Sequence, residues 1–91
     1  MSFKMAFFIY ILECSDKSLY TGATSDVTKR VHQHNTAKAG AKYTKARRPV
    51  KLKHSEKFRT FKASRSREAE IKRMTRVEKL ALIKKAKKKL R

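Results

Sequence analysis

Two short apolar runs near the start of the chain predict a β-hairpin. Residues 7–12 form a continuous β-favouring run, and residues 19–24 form a second one, which is typical of neighbouring strands. The polar stretch between them contains good turn formers, including serine, aspartate and lysine. A turn centred near Ser15 puts Tyr10 opposite Tyr20, with both side chains on one face of the sheet.

The middle of the chain has a helical pattern followed by an extended one. Ser25 or Asp26 can cap a helix that runs to about residue 35, because its side-chain oxygen can accept a free amide of the first turn. Residues 38–48 form a basic loop. A fair alternation of apolar and polar positions predicts a third strand over residues 50–58.

The last part of the chain is predicted to be helical. Thr60 or Ser64 opens a helix through Met74, and Thr75 and Glu78 match a capping box that starts another. One continuous helix is the alternative. Three strands and about three helices together predict a compact α+β domain with a three-stranded antiparallel sheet.

Charge changes this picture most. The chain has 91 residues, with 26 Lys and Arg against 7 Asp and Glu, for a formal net charge of +19. Such self-repulsion in a small domain indicates a polyanionic partner, and nucleic acid fits best. An anionic membrane surface fits less well, because the C-terminal helix has no aromatic residue.

The single cysteine and the length of the apolar segments bear on location. Cys14 is the only cysteine, so an internal disulfide is impossible and a reducing, cytoplasmic setting is expected. The apolar run over residues 5–12 is too short to span a bilayer. We therefore expect no membrane partner.

Seven acidic residues are the candidates for metal or proton chemistry. Four have local structural explanations, in the hairpin turn, the strand end, the first helix start and the capping box: Asp16, Glu13, Asp26 and Glu78. Glu56, Glu68 and Glu70 remain, and one carboxylate with waters and substrate phosphate can hold a hard divalent ion. The alternative for Glu68 is a helical ion pair with Lys72, four residues later.

The first helix carries polar side chains on its apolar stripe. Val27, Val31 and His34 follow the helical spacing, and Arg30 lies within the same stripe. A buried histidine and arginine need polar partners. Either they form a site with the tyrosines of the sheet, or Arg30 extends past the edge and His34 is a satisfied core residue.

These residues lie in segments that resemble a known family. The segments FIYIL, YTG and TSDVTKRVHQHN are similar to the GIY-YIG nuclease signature. Downstream, AKYTKARRPVKLKHSEKF and SREAEIKRM resemble the small stand-alone (YhbQ-like) members. The similarity covers roughly residues 6–83, so residues 1–83 are expected to form the GIY-YIG domain and residues 84–91 a lysine-rich end.

The resemblance implies one divalent-metal site, for Mg²⁺ or Mn²⁺, on a three-stranded sheet. Glu68 is the implied metal ligand, and Gly22 the place where the substrate backbone approaches. The implied catalytic residues are Tyr10, Tyr20, Arg30, His34 and Tyr43. The expected nucleic-acid-binding residues come from the basic loop: Lys42, Lys45, Arg47 and Arg48. In this interpretation Tyr20, together with Tyr10, helps to deprotonate water, because a phenol near a metal and an arginine ionises more readily.

The implied function is an endonuclease that hydrolyses phosphodiester bonds, in DNA more than RNA, in repair or recombination. The first alternative is a binding module for DNA or RNA that keeps the fold without turnover. The second is a ribosome- or RNA-associated basic protein. The late asparagine of some family nucleases has no counterpart, since Asn35 is the only asparagine. Retention of Tyr10, Tyr20, Arg30 and Glu68 favours the nuclease, because phosphate binding alone needs no buried carboxylate.

Overall fold

The chain folds into a three-stranded antiparallel sheet with helices on both faces, as the sequence predicts. The structure is a computed structural model that describes residues 6–36 and 42–89. The elements are β1 (Phe7–Glu13), β2 (Leu19–Thr24), α1 (Val27–Thr36), α2 (Lys42–Lys45), β3 (Lys51–Phe58), α3 (Phe61–Lys72) and α4 (Arg76–Lys89). The short α2 lies in the part expected to be a loop, and residues 38–41 of that loop are outside the described residues, as are residues 90–91 of the lysine-rich end.

The strand order is β2-β1-β3, so the apolar first strand is the central one. Tyr10 pairs with Gly22, and Leu12 pairs with Tyr20. The predicted pairing of Tyr10 with Tyr20 is therefore wrong. The reason is the turn, which is centred on Asp16 because Glu13 pairs with Leu19. Moving the centre by one residue shifts each partner by two, so both tyrosines still lie on one face.

The pairing of β1 with β3 contains an irregularity. Ile11 pairs with His54 and Leu12 with Leu52, so Lys53 is an extra residue without a partner on β1. Such a bulge bends its strand and increases the local twist. It explains why the alternation of apolar and polar positions over β3 is only fair.

Each face of the sheet carries its own apolar cluster. On one face Tyr10, Leu12, Cys14 and Val50 are buried together, with Val31 of α1 packed against them. The opposite face has a cluster that includes side chains from α3 and α4: Ile9, Ile11, Ile71 and Ile83. Since β1 is covered on both sides, it reads in the sequence as a continuous apolar run.

The helix starts are set by side chains that the sequence indicated. The carboxylate of Asp26 accepts the amide of Lys29 at 3.0 Å, and the hydroxyl of Thr60 accepts the amide of Ala63 at 3.1 Å. Both arrangements satisfy a first-turn donor that has no partner within the helix.

The capping box before α4 separates the two late helices. The amide of Glu78 donates to the Thr75 hydroxyl at 3.2 Å, and the amide of Thr75 donates to the Glu78 carboxylate at 2.9 Å. The alternative of one continuous helix is therefore wrong. Among the described residues, no helix is long and apolar enough to cross a membrane.

Candidate active site

The centre of the candidate site is a chain of hydrogen bonds that joins three elements. The Tyr10 hydroxyl of β1 and Nε2 of His34 in α1 are 2.8 Å apart, and Nδ1 of His34 lies 2.8 Å from the Thr44 hydroxyl of α2. All three side chains are almost completely buried. Because both ring nitrogens of His34 have partners, the imidazole is fixed in position and its burial is compensated.

Gly22 makes room for Tyr10. A Cβ atom built at residue 22 would overlap the hydroxyl and the adjoining ring carbon of Tyr10, its partner across the strands. In this structure the space beside Gly22 is occupied by the phenol. Approach of a substrate backbone to Gly22 remains a prediction, and the glycine has this second, structural reason.

Arg30 lies one turn before His34 on α1, and both act on the electrostatics of the site. Burial, together with the positive charges of Arg30 and Arg48, lowers the pKa of His34 to about 4. His34 is therefore neutral at neutral pH. Arg30 is half-buried and donates from Nη1 to the side-chain oxygen of Gln33 at 3.2 Å.

Burial and nearby charges together set the protonation of Tyr10. Burial raises the pKa of the Tyr10 phenol. Arg30 pulls that pKa down, while the charges of Tyr20 and Glu68 act in the same direction as burial. The net result is a higher pKa for the Tyr10 phenol in the metal-free protein, and easier ionisation of Tyr10 beside a bound metal ion stays a prediction. The expectation omitted the cost of placing a phenolate in a buried position.

A stack of aromatic rings continues the site towards the surface. The Tyr20 ring lies edge-on to His34, with centroids 5.3 Å apart, and it stacks on Tyr43 at 5.9 Å. The guanidinium of Arg47 lies 3.9 Å from the centre of the Tyr43 ring, which is a cation–π distance. The structure thus brings Tyr43 of α2 to the tyrosine of β2.

Glu68 is the carboxylate that interacts electrostatically with Tyr10. Its residue is 6% exposed, and its charge raises the pKa of Tyr10. Oε1 accepts from Arg65 Nη1 at 3.1 Å, and Oε2 pairs with Lys72 Nζ at 3.1 Å. The helical ion pair with Lys72 is therefore present, in a carboxylate that is buried and acts electrostatically on Tyr10.

The two other candidate carboxylates are held elsewhere. Glu56 accepts from Arg67 at 2.9 and 3.0 Å and pairs with His54 at 2.7 Å. Glu70 is exposed and pairs with Arg67. Glu68 is the carboxylate that raises the pKa of Tyr10.

The four basic residues expected to bind nucleic acid fall into two groups. Lys42 and Lys45 are exposed on α2. Arg47 pairs with Asp16 at 3.0 Å, and Nε of Arg48 donates to the backbone carbonyl of His34 at 2.6 Å. The two lysines are therefore exposed beside Tyr43, whereas the two arginines already have partners within the protein.

Thr44 is a site residue that the sequence did not indicate. Its hydroxyl holds Nδ1 of His34, and the side chain is completely buried. The only available signal was its position next to Tyr43, in a segment expected to be a loop. Threonine in a loop gives no pattern that distinguishes a buried partner of histidine from a solvated hydroxyl.

A divalent ion fits the donor set in one way. Among the described residues, no group of three or more His, Cys, Asp or Glu side chains could enclose a metal ion. Mg²⁺ often keeps several waters and takes one or two carboxylates plus substrate phosphate. The single buried carboxylate of Glu68 fits that mode of binding, and the neighbouring cations of Arg65 and Lys72 could contact the phosphate.

Comparison with known proteins agrees with this fold. The model of the GIY-YIG catalytic domain matches residues 6–81. The chain therefore belongs to the GIY-YIG family, a family of nucleases, and this membership implies that it binds nucleic acid.

Its relatives within the family are small proteins named UPF0213. The UPF0213 protein of Syntrophus aciditrophicus is 58% identical over 77 residues, which cover 85% of this chain and 88% of that protein. The UPF0213 protein HQ_3675A of Haloquadratum walsbyi is 56% identical over 75 residues, which cover 82% of this chain and 83% of that protein.

Two solved structures resemble the whole described fold. The solution NMR structure of the UPF0213 protein BH0048 from Bacillus halodurans has 39% identity and a TM-score of 0.58, over 88% of this chain and 84% of that one. The solution NMR structure of EF2693 from E. faecalis has 39% identity and a TM-score of 0.62, over 93% and 90%. The small α+β fold is thus shared with these proteins.

Proposed function

We propose that the protein is a metal-dependent endonuclease that hydrolyses phosphodiester bonds, with DNA as the substrate and repair or recombination as the setting. One observation carries the proposal. Two phenols, a neutral imidazole, an arginine and one buried carboxylate, from four elements, interact through hydrogen bonds, ring contacts and electrostatics. A domain that only neutralised phosphates would need surface cations alone.

Glu68 would hold a divalent ion in this proposal. The chemistry that such an ion supplies is polarisation of the phosphate and stabilisation of the leaving 3′ oxygen. Arg30 would offset the charge that grows on the phosphoryl oxygens, because its guanidinium already lies in the field of Tyr10 and His34. Both roles require that the charged side chains of Glu68 and Arg30 are already in position when the substrate binds.

The two tyrosines would have different roles. Tyr10 stays protonated, since burial raises its pKa, and it would hold His34 and donate or accept one hydrogen bond. Tyr20 is only partly buried and lies between His34 and Tyr43. Tyr20 would therefore be the phenol that contacts the attacking water and helps to remove its proton.

One feature favours the alternative of a non-catalytic binding module. Both carboxylate oxygens of Glu68 are already paired, with Arg65 and with Lys72. A carboxylate held in this way contributes to helix stability without any metal. The two functions make opposite predictions for a variant that lacks this carboxylate.

The deciding experiment compares Glu68→Ala with Glu70→Ala. Each protein is incubated with end-labelled single-stranded, duplex, flapped and branched DNA and with the matching RNAs, in Mg²⁺, in Mn²⁺ and in chelator. We expect wild type and Glu70→Ala to cut with metal and to stop in chelator. We expect Glu68→Ala to bind as well as wild type, or more tightly, and to lose cleavage.

The control is folding, measured by circular dichroism. As an ion-pair residue only, Glu68 would contribute at most about 0.5 kcal/mol for each of its two pairs, with Arg65 and with Lys72, and its loss would leave activity unchanged. Cleavage by Glu68→Ala at the wild-type rate would contradict the metal assignment. Binding without cleavage by every protein, in every metal, would favour the binding module.

A further inference from the structure

A cavity borders Arg65, which pairs with Glu68 of the candidate site, and none of the catalytic roles above uses this cavity. Its volume is about 280 Å³, and it lies between the start of β1, the end of β2 and the first turns of α3. Phe7, Phe61 and Arg65 line it together with small polar side chains. The cavity is therefore lined by two aromatic rings, from Phe7 and Phe61, and by the charged side chain of Arg65.

Phe61 gives this cavity a flat apolar surface that faces water. The residue is 60% exposed although it is the first residue of α3. Phe7 packs edge-on against it, with ring centroids 5.8 Å apart and planes at 71°. The T-shaped contact fixes the orientation of the Phe61 ring, and the 60% exposure of the residue leaves part of the ring surface open for stacking.

Arg65 borders the same ring. Its guanidinium carbon lies 5.8 Å from the centre of the Phe61 ring, within cation–π range. An exposed phenylalanine beside an arginine, on a chain with a formal net charge of +19, suits a ligand that is flat, aromatic and attached to negative charge. A nucleobase on its phosphate backbone has these properties.

Arg65 also links the cavity to the candidate site. Its Nη1 contacts Oε1 of Glu68 at 3.1 Å, so one side chain touches both Glu68 and the Phe61 ring. A phosphate near Glu68 and a base on Phe61 would therefore belong to the same or adjacent nucleotides. This continuity argues for a nucleic-acid strand rather than an unrelated apolar ligand.

We propose that Phe61 and Arg65, with Phe7 behind them, form a stacking site for an unpaired nucleobase that flanks the phosphate held at the candidate site. The inference rests on the proposed function for the position of that phosphate. Bases inside a duplex already stack on both faces, so only an unpaired or terminal base can stack on the Phe61 ring. The site thus favours strands with unpaired nucleotides over uniform duplex.

The test is a binding measurement in chelator, where no cleavage occurs. Fluorescence anisotropy is recorded with a labelled oligothymidylate and with its duplex with oligoadenylate. The proteins are wild type, Phe61→Leu, Phe61→Trp and, as a control for an exposed apolar side chain, Val77→Ala, which is 75% exposed on α4.

We expect Phe61→Leu to weaken binding of the single strand at least about fivefold, because stacking of one base on an aromatic ring has that magnitude. We expect duplex binding to change less than about twofold, and Phe61→Trp and Val77→Ala to resemble wild type. Equal weakening for both ligands, or for Val77→Ala as well, would overturn the proposal, as would no weakening.

A second measurement does not depend on any variant. Wild-type protein is cross-linked by light to an oligothymidylate that contains one 5-iodouracil, and the attached peptide is identified by mass spectrometry. A cross-link to Phe61 or Phe7 supports the stacking site, and a cross-link elsewhere alone overturns it. Loss of the proposed nuclease activity would leave both measurements unaffected, so the two failures are distinguishable.

Discussion

The phenol of Tyr10 lies across Gly22, its cross-strand partner, in the space that a side chain at residue 22 would need. The Tyr10 ring cannot move away easily, because it is buried and bonded to His34. We therefore expect Gly22→Ala to lower the free energy of unfolding by about 1–3 kcal/mol, the usual cost of overpacking. Urea denaturation measures it.

The control for this prediction is a double-mutant cycle with Tyr10→Ala. If the overlap with the phenol is the cause, Gly22→Ala should cost much less in the Tyr10→Ala background. Equal costs in both backgrounds would show that the glycine is needed for another reason, such as the approach of a substrate.

A second prediction concerns acid stability. The pKa of His34 is about 4 in the folded protein against 6.5 ordinarily, because of burial and the nearby charges of Arg30 and Arg48. Between these values the unfolded chain binds more protons, so stability falls as the pH falls through this window. The full loss is roughly 3 kcal/mol from the shift of the His34 pKa.

Denaturation midpoints from pH 7 down to pH 4 provide the measurement. His34→Gln, which keeps a hydrogen-bonding side chain, should show a flatter profile over this range, although it starts from a lower stability. An identical slope in the variant would mean that another group is responsible for the acid sensitivity.

A third prediction concerns the ionic strength dependence of binding. Many phosphate contacts are expected from a chain with 26 Lys and Arg residues, and each should add about −0.9 to the log–log slope on duplex. Lys42→Ala and Lys45→Ala, which remove exposed cations on α2, should each weaken binding uniformly across sequences and reduce the slope by about one. Titrations at several salt concentrations test this, and an affinity that is independent of salt would refute it.

A fourth prediction uses the ion pairs of Glu68. Lys72 and Arg65 occupy the carboxylate oxygens that a metal ion would need. Lys72→Met should therefore raise the affinity for Mn²⁺ by about two- to fivefold, since ion pairs of exposed lysines contribute up to about 1 kcal/mol. Water-proton relaxation during Mn²⁺ titration of the protein alone gives this affinity. Lys62→Met, an exposed lysine on the same helix, is the matched control, and unchanged affinity in Lys72→Met would argue against metal binding at Glu68.

Local features of this fold were predictable, and the reason is their short range. Asp26, Thr60 and the pair Thr75 and Glu78 cap their helices within three residues of their own positions. Strand β1 is predictable from the sequence because its side chains are buried on both faces of the sheet, which requires a continuous apolar run. The hairpin register was not predictable to within two residues, since Ser15 and Asp16 are both acceptable turn centres.

The site was predictable only as a set of residues, and its geometry was not. The resemblance selected Tyr10, Arg30 and Glu68 from different segments, but their relative positions depend on how three helices pack on the sheet. Thr44 meets His34 because α2 folds back on α1, ten residues later in the chain. A tertiary contact of that kind produces no periodic pattern in the sequence. The raised pKa of Tyr10 likewise depends on burial, which the sequence pattern does not quantify.

The site draws on β1, β2, α1, α2 and α3, so no single element contains it, and its residues spread from Tyr10 to Glu68. Glu68 is the last of these residues in the sequence, and it follows all three strands. During synthesis the growing chain therefore gains affinity for polyanions long before it could gain an active centre. A proteolytic fragment that ends before α3 would likewise be a basic polypeptide that lacks the complete site. Any nuclease activity of this protein is in that sense a property of the complete fold, and it would be lost when α3 separates from the sheet.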